Sequence, residues 1–244
     1  AAPGATHATA DDRPASSGTL DYADPAAAEQ SYWQVVVAQV LSNPYMWVIS
    51  VANLLVYVLR DVMMKWGPTF LQEDKGVSVV TSGWLGFGSE IAGMFAALGA
   101  GIVADRVFGG RAGRVCVLAM LLMAGAIYGF WSAPHASPGP AGALFIAMGF
   151  CLYVPQMLIA AMAMNLGTKR AAAAAVGLTG IVGYASTVVT GWGVGRLADT
   201  YGWAGVFGLM LGCALAAAAL MAVTWNVGAH PLRPAGAGGR ADAV

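Results

Sequence analysis

The chain has 244 residues, of which 58% are hydrophobic and only 10% charged, against about 25% charged in an ordinary soluble domain. Its formal net charge is zero, and no basic stripe or RNA- or DNA-binding signature is present, so nucleic acid is not an expected partner. The composition is that of a membrane protein.

Residues 1–31, "AAPGATHATADDRPASSGTLDYADPAAAEQS", are rich in Ala, Pro, Ser and Asp and poor in large apolar groups. Such a segment cannot bury enough surface to fold alone. Residues 1–34 therefore read as a disordered linker, and the chain as one piece of a longer polypeptide. No basic stretch followed by an apolar run opens it, so no signal peptide is expected.

Six apolar stretches follow, at about 44–70, 82–104, 113–132, 141–166, 171–197 and 203–227. Each suffices to cross a hydrocarbon core about 30 Å thick, which takes about 20 helical residues. Lipid cannot satisfy backbone amides, so long apolar spans without strand alternation are expected to be helices. The fold class is all-α, with six transmembrane helices over residues 35–227 and a tail at 228–244.

The basic residues fall unevenly between the spans. Arg106, Arg111 and Arg114 occupy the second connector, Lys169 and Arg170 the fourth, and Arg233 and Arg240 the tail. The first has Lys75 offset by Glu73 and Asp74, and the third has none. By the positive-inside rule the even connectors and both ends of the chain are cytoplasmic. Seven of the eight tryptophans fall near predicted span ends, as interfacial anchors do, and Trp192 is the exception. Glycines inside the spans, as in "GLTGIVGY" (177–184) and "GWGVG" (191–195), read as small faces for close helix packing. Neither follows a strand, so neither reads as a dinucleotide loop. Cys116, Cys151 and Cys213 stand alone in apolar runs and read as packing residues. His7, His135 and His230 sit in polar or Pro/Gly-rich segments, and no metal or cofactor is expected.

Few ionisable residues fall inside the spans: Arg60, Asp61 and Lys65 in the first, Glu90 in the second. The 16 residues from Pro44 to Leu59 cover about 24 Å, so the first helix must continue past Arg60. Trp66 and Pro68 then mark its outer boundary, with Arg60 about two turns below the surface. A charge there costs at least ~2.5–3.5 kcal/mol. Arg60 either snorkels or pairs with an acid, or faces a watery cavity and receives an anion. Arginine suits phosphate because its planar fork donates two parallel hydrogen bonds and stays charged. Tyr57 lies one turn earlier on the same face. Asp61 points about 100° away around the helix and is not a natural partner of Arg60. Glu90, in "GFGSEIAG", either balances Arg60 or Lys65 or takes part in substrate handling. "GAGIVADRVFGGRAGR" (99–114) places Asp105, Arg106 and Arg111 at a helix end, as an ion-paired gate or as ordinary positive-inside topology.

Taken together, "VANLLVYVLRDVMMKWGPTFL", "GIVADRVFGGRAGR", "MGFCLYVPQMLIAAMAMNLGTKRAAAAAVGLTGIVGYAST" and "YGWAGVF" resemble the second half of an organophosphate:phosphate antiporter. That is the glycerol-3-phosphate and hexose-phosphate transporter family of the major facilitator superfamily. The resemblance covers about residues 35–227. It implies one half of a two-half carrier with substrate at the midplane between the halves, residues 1–31 resembling the central cytoplasmic loop. It places the phosphate-gripping arginine of the V-Y-x-x-R motif on Arg60. The cavity tyrosines fall on Tyr57, Tyr153 and Tyr184, and the acid of the next helix on Glu90. It implies an organic phosphate and inorganic phosphate as ligands, a bacterial inner membrane, and an N-terminal six-helix half not contained in this chain. Asp61 and Lys65 depart from the family pattern, and Val176 to Thr179 is closer to the glycerol-3-phosphate type. The leading expectation is antiport by alternating access. A sugar-phosphate sensor signalling to a membrane kinase is one alternative, and a truncated remnant without transport is another. No nucleophile–base–orienter set supports an enzyme.

Overall fold

The computed structural model describes residues 32–134, 138–167 and 170–226, and all regular structure among them is helical. The chain enters through a short helix, α1 (Tyr32–Val36), which runs on as a π-helical turn over Val37–Leu41. Residues 32–34 of the expected linker thus lie in α1, while residues 1–31 and the expected tail at 228–244 fall outside the described residues.

Helix α2 (Pro44–Glu73) starts where the Asn43 side chain accepts from the Tyr45 N–H at 3.0 Å and proline takes the first position. That proline loses nothing, because the first amides of a helix have no carbonyl to meet. The helix runs through Pro68 to Glu73, so Trp66 and Pro68 are not its outer boundary. Proline there supplies no N–H to the Met64 carbonyl, and the Gln72 side chain adds a bond of its own, Nε2 donating to the Pro68 carbonyl at 3.1 Å. Arg60 therefore sits about 24 Å from one end of α2 and about 20 Å from the other, nearer mid-helix than the sequence suggests.

Ser78 caps α3 (Val79–Arg106), accepting from the Thr81 N–H at 3.1 Å. The helices α4 (Ala112–Ser132) and α5 (Pro138–Leu166) follow. The last membrane stretch comprises α6 (Ala172–Tyr184), the turn α7 (Ser186–Val188), a π-helical segment Val189–Gly193, and α8 (Val194–Val223). The fifth expected span is therefore an interrupted helix rather than a continuous one.

Among the described residues five helical runs are long and apolar enough to cross a membrane, and the fifth, Ala172–Val223, has 52 residues. Straight, it would extend about 78 Å, more than twice a ~30 Å core. It breaks at Gly202, whose φ of 64° and ψ of −165° suit a residue without Cβ. Before the break the chain runs parallel to α2, with Thr179 beside Asn53, Thr190 beside Asp61 and Gly195 beside Trp66. Beyond it the direction reverses: Trp203 meets Phe70, and Thr224 ends against Gly113 at the start of α4. The run is two crossings joined at one glycine, which makes six.

Helix α2 is central, packing on α5, α6 and α8, while α3 packs on α5 and α4 joins α5 to α8. One end of the bundle is closed by an aromatic cluster. Phe70 lies 5.2 Å from Phe130 and 4.6 Å from Phe207 between ring centroids. Lys75 is tucked beneath it, 1% exposed, with Nζ 2.5 Å from the Ala133 carbonyl, 2.9 Å from Asp74 and 5.3 Å from the Phe70 ring centroid.

Candidate functional site

The polar residues of α2 divide between two neighbours. Asn53, Tyr57 and Asp61 recur every four residues and Arg60 falls three after Tyr57, so the four lie within about 100° around the helix. On one flank they meet the fifth span. Asn53 is buried and donates through Nδ2 to the Thr179 carbonyl at 2.9 Å. Tyr57 packs edge-on against Tyr184, with ring centroids 5.1 Å apart. The Thr190 hydroxyl donates to Asp61 Oδ2 at 2.9 Å, and Lys65 Nζ lies 3.3 Å from the same oxygen. Asp61 is thus held away from Arg60, as the helical angle predicts. Gly183 permits this approach: a Cβ there would stand 2.7 Å from Asn53 Nδ2.

The other flank carries Arg60 toward α5 and α3. Its guanidinium carbon lies 5.9 Å from the Tyr153 ring centroid, and the Tyr153 hydroxyl donates to Glu90 Oε2. A Cβ at Gly93 would overlap the Tyr153 ring, so this glycine sets how near α3 and α5 come at the site. Arg60 Nε is buried without a hydrogen-bond partner. The ion pairs found among the described residues join Lys65 to Asp61 and Lys75 to Asp74, leaving Arg60 with no carboxylate within 4.0 Å. The Glu90 carboxylate stands beyond the Tyr153 hydroxyl rather than against the guanidinium. The structure brings together Arg60, Tyr153 and Glu90, with Tyr57 and Tyr184 beside them.

Such a group can take an anion. The guanidinium supplies charge and paired donors, the phenols supply further hydroxyls, and the Glu90 carboxylate can accept from a ligand hydroxyl. Among the described residues no group of three or more His, Cys, Asp or Glu is placed to hold a metal.

Asp105, Arg106 and Arg111 are elsewhere. They are exposed, and none forms an ion pair among the described residues. Residues 90 and 105 are about 22 Å apart along α3. The turn there is held by backbone bonds, Gly110 N–H to the Ala104 carbonyl at 2.9 Å among them, with Gly109 and Gly110 at φ of 59° and 77°. The neighbouring Arg114 is the one engaged across helices, its Nε donating to the Trp225 carbonyl at 3.2 Å. Lys169, the tail arginines and all three histidines lie outside the described residues.

Sequence reasoning missed Asn53, Thr190 and Lys75. Asn53 was detectable, being one turn before Tyr57 on the same stripe. Thr190 had no signal, because its partner is 129 residues away. Lys75 falls in the first connector, offset by Glu73 and Asp74, with no sign of burial in the sequence. Beside it Gly76, at φ 66°, turns the chain so that the Val77 N–H reaches back to the Leu71 carbonyl.

Comparison with known proteins bears on this arrangement. The family model described as Major Facilitator Superfamily matches residues 5–191. The chain belongs to the major facilitator superfamily. It is 34% identical over 221 residues to a protein of Chlamydia pneumoniae named probable hexose phosphate transport protein, covering 90% of this chain and 48% of that relative. It is also 34% identical over 196 residues to the glycerol-3-phosphate transporter of Bacillus subtilis (strain 168), covering 80% of this chain and 44% of the relative. A third relative, the membrane sensor protein UhpC of Escherichia coli (strain K12), is 34% identical over 177 residues, or 71% of this chain and 40% of the relative. The chain spans about half the length of the curated relatives it matches. Its six crossings are those of one half of a major facilitator fold, a superfamily whose transporters comprise two six-helix halves.

Proposed function

We propose that this chain is the second half of a carrier that exchanges an organic phosphate, of glycerol-3-phosphate type, for inorganic phosphate by alternating access. The observation that carries the reading is Arg60: mid-helix in a membrane span, without a carboxylate within 4.0 Å among the described residues, and flanked by Tyr153–Glu90 and Tyr57–Tyr184. An intramembrane cation left in this state is costly until an anion joins it. A phosphate dianion would meet the guanidinium fork, with Tyr57 and Tyr184 donating to its oxygens and Tyr153 joining them once its hydroxyl turns from Glu90. Glu90 would accept from hydroxyls of the organic part. The names of the hexose-phosphate and glycerol-3-phosphate relatives support phosphate-ester chemistry.

A second cationic group is required to balance a dianion, and the reading assigns it to the N-terminal six-helix half. Asp105, Arg106 and Arg111 would then gate against that half rather than within this one. The even connectors and both ends would face the cytoplasm, and the membrane would be a bacterial inner membrane.

The test is counterflow of labelled phosphate into phosphate-loaded proteoliposomes carrying the complete two-half protein. Arg60→Ala and Arg60→Lys are expected to abolish it, the lysine because a point charge cannot make the bidentate contact. Normal flux in Arg60→Ala would overturn the reading. The relative named as a sensor supports a second one. Saturable binding of phosphate ester to the unmodified protein, without counterflow, would select it.

A further inference from the structure

A groove of about 240 Å³, open along one side, lies away from Arg60 between α3, α4 and α5. Its walls include Ala96, Gly99 and Val103 of α3, Phe108 of the following turn, Ala119 of α4 and Cys151 of α5. No polar side chain lines it, so water entering would find too few partners to stay. From Ala96 to Val103 the groove follows α3 for about 11 Å, within the ~15 Å that one leaflet's hydrocarbon occupies.

At its Phe108 end stands the basic turn. Residues 105–114 contain Asp105, Arg106, Arg111 and Arg114, three positive charges against one negative. Arg114 is engaged with Trp225, whereas Arg106 and Arg111 are exposed. An apolar slot about 11 Å long, beside guanidinium groups that form no ion pair among the described residues, matches a molecule with an anionic head and a hydrocarbon tail.

We propose that this groove holds part of one acyl chain of an anionic phospholipid, its phosphate on Arg106 and Arg111. Other occupants fit less well. A free phosphate ester would meet no hydrogen-bond partner on the walls and would lose its hydration. An α-helix about 10 Å across would need roughly 900 Å³ over the same length. An extended peptide would bury unpaired amides. The proposal concerns a site separate from Arg60 and does not depend on the transport reading.

The test is native mass spectrometry of the complete two-half protein in detergent, with phosphatidylglycerol and phosphatidylcholine supplied equally. One retained phosphatidylglycerol is expected, favoured at least threefold over phosphatidylcholine. Gly99→Leu fills the groove, and a Cβ at that position meets nothing within 4 Å, so the variant is compatible with folding. It is expected to remove the adduct. Gly101→Leu, equally open but outside the groove walls, is expected to keep it. The double variant R106Q/R111Q tests the head without touching packing and is expected to bring both lipids to equal retention. Equal retention by the unmodified protein would overturn the proposal, as would an adduct that persists in Gly99→Leu. Displacement of phosphatidylglycerol by millimolar inorganic phosphate would reduce the site to an anion patch and overturn it too.

Discussion

Helices α2 and α3 are near twins by sequence: 30 and 28 residues, with mean hydropathy of 1.6 and 1.5 over their most apolar stretches. In the fold they differ. Of those stretches 56% is buried in α2 and 28% in α3. Helix α2 is surrounded and can hold Arg60, Asp61 and Asn53 because partners stand on two flanks. Helix α3 is covered mainly by α5 and shows Trp84, Phe87, Phe95 and Leu98 on its open side. Hydropathy reports that a helix is immersed in something apolar. It does not report whether that is protein or lipid, because a lipid tail is as apolar as a leucine.

The contrast can be broken or sharpened by substitution. The largest effect is expected at the charged residue of α2: Arg60→Ala should lower phosphate counterflow by at least about a hundredfold, the ~3 kcal/mol scale of a lost charge pair. Next comes a matched pair of truncations. Phe70→Ala should destabilise by about 3 kcal/mol in reversible unfolding from detergent, the low end for core phenylalanine because lipid rather than water receives the chain. Gly93→Val should cost about 1–3 kcal/mol by driving a side chain into the Tyr153 ring. It should also weaken ligand binding by displacing Tyr153 from Glu90. Asn53→Ala should cost about 0.6 kcal/mol, typical of an interhelical hydrogen bond in a membrane, and be read in the same unfolding assay. Phe95→Ala, 65% exposed on α3, should stay within about 0.5 kcal/mol. A cost near that of Phe70→Ala would mean that the open face of α3 is covered within this chain.

The glycines show the same limit. "GLTGIVGY" and "GWGVG" read as close-packing faces, yet a Cβ at Gly177, Gly180, Gly191 or Gly193 would meet nothing within 4 Å, and only Gly183 is tightly opposed. The close approaches lie elsewhere, at Gly93 against Tyr153 and at Gly149, where a Cβ would stand 2.6 Å from the Ser89 carbonyl oxygen. Glycine in a span signals that a neighbour can come near, not that one does. The open glycines lie beside exposed Ile181, Val188 and Trp192, a surface suited to the proposed N-terminal half.

Sequence by itself determined the six crossings, because spanning a bilayer with a satisfied backbone leaves few choices of length and conformation. It also singled out Arg60 and Glu90, since a charge at that depth is costly wherever it points, and it set Asp61 and Arg60 on different azimuths, since helical geometry is local. Only the tertiary structure decided which groups meet. Tyr153 reaches Glu90 across 63 positions and Thr190 reaches Asp61 across 129. Lys75 is buried because a distant carbonyl, Ala133, receives it. Periodicity gives each residue its angle on its own helix, while packing between helices chooses what lies at the end of that direction.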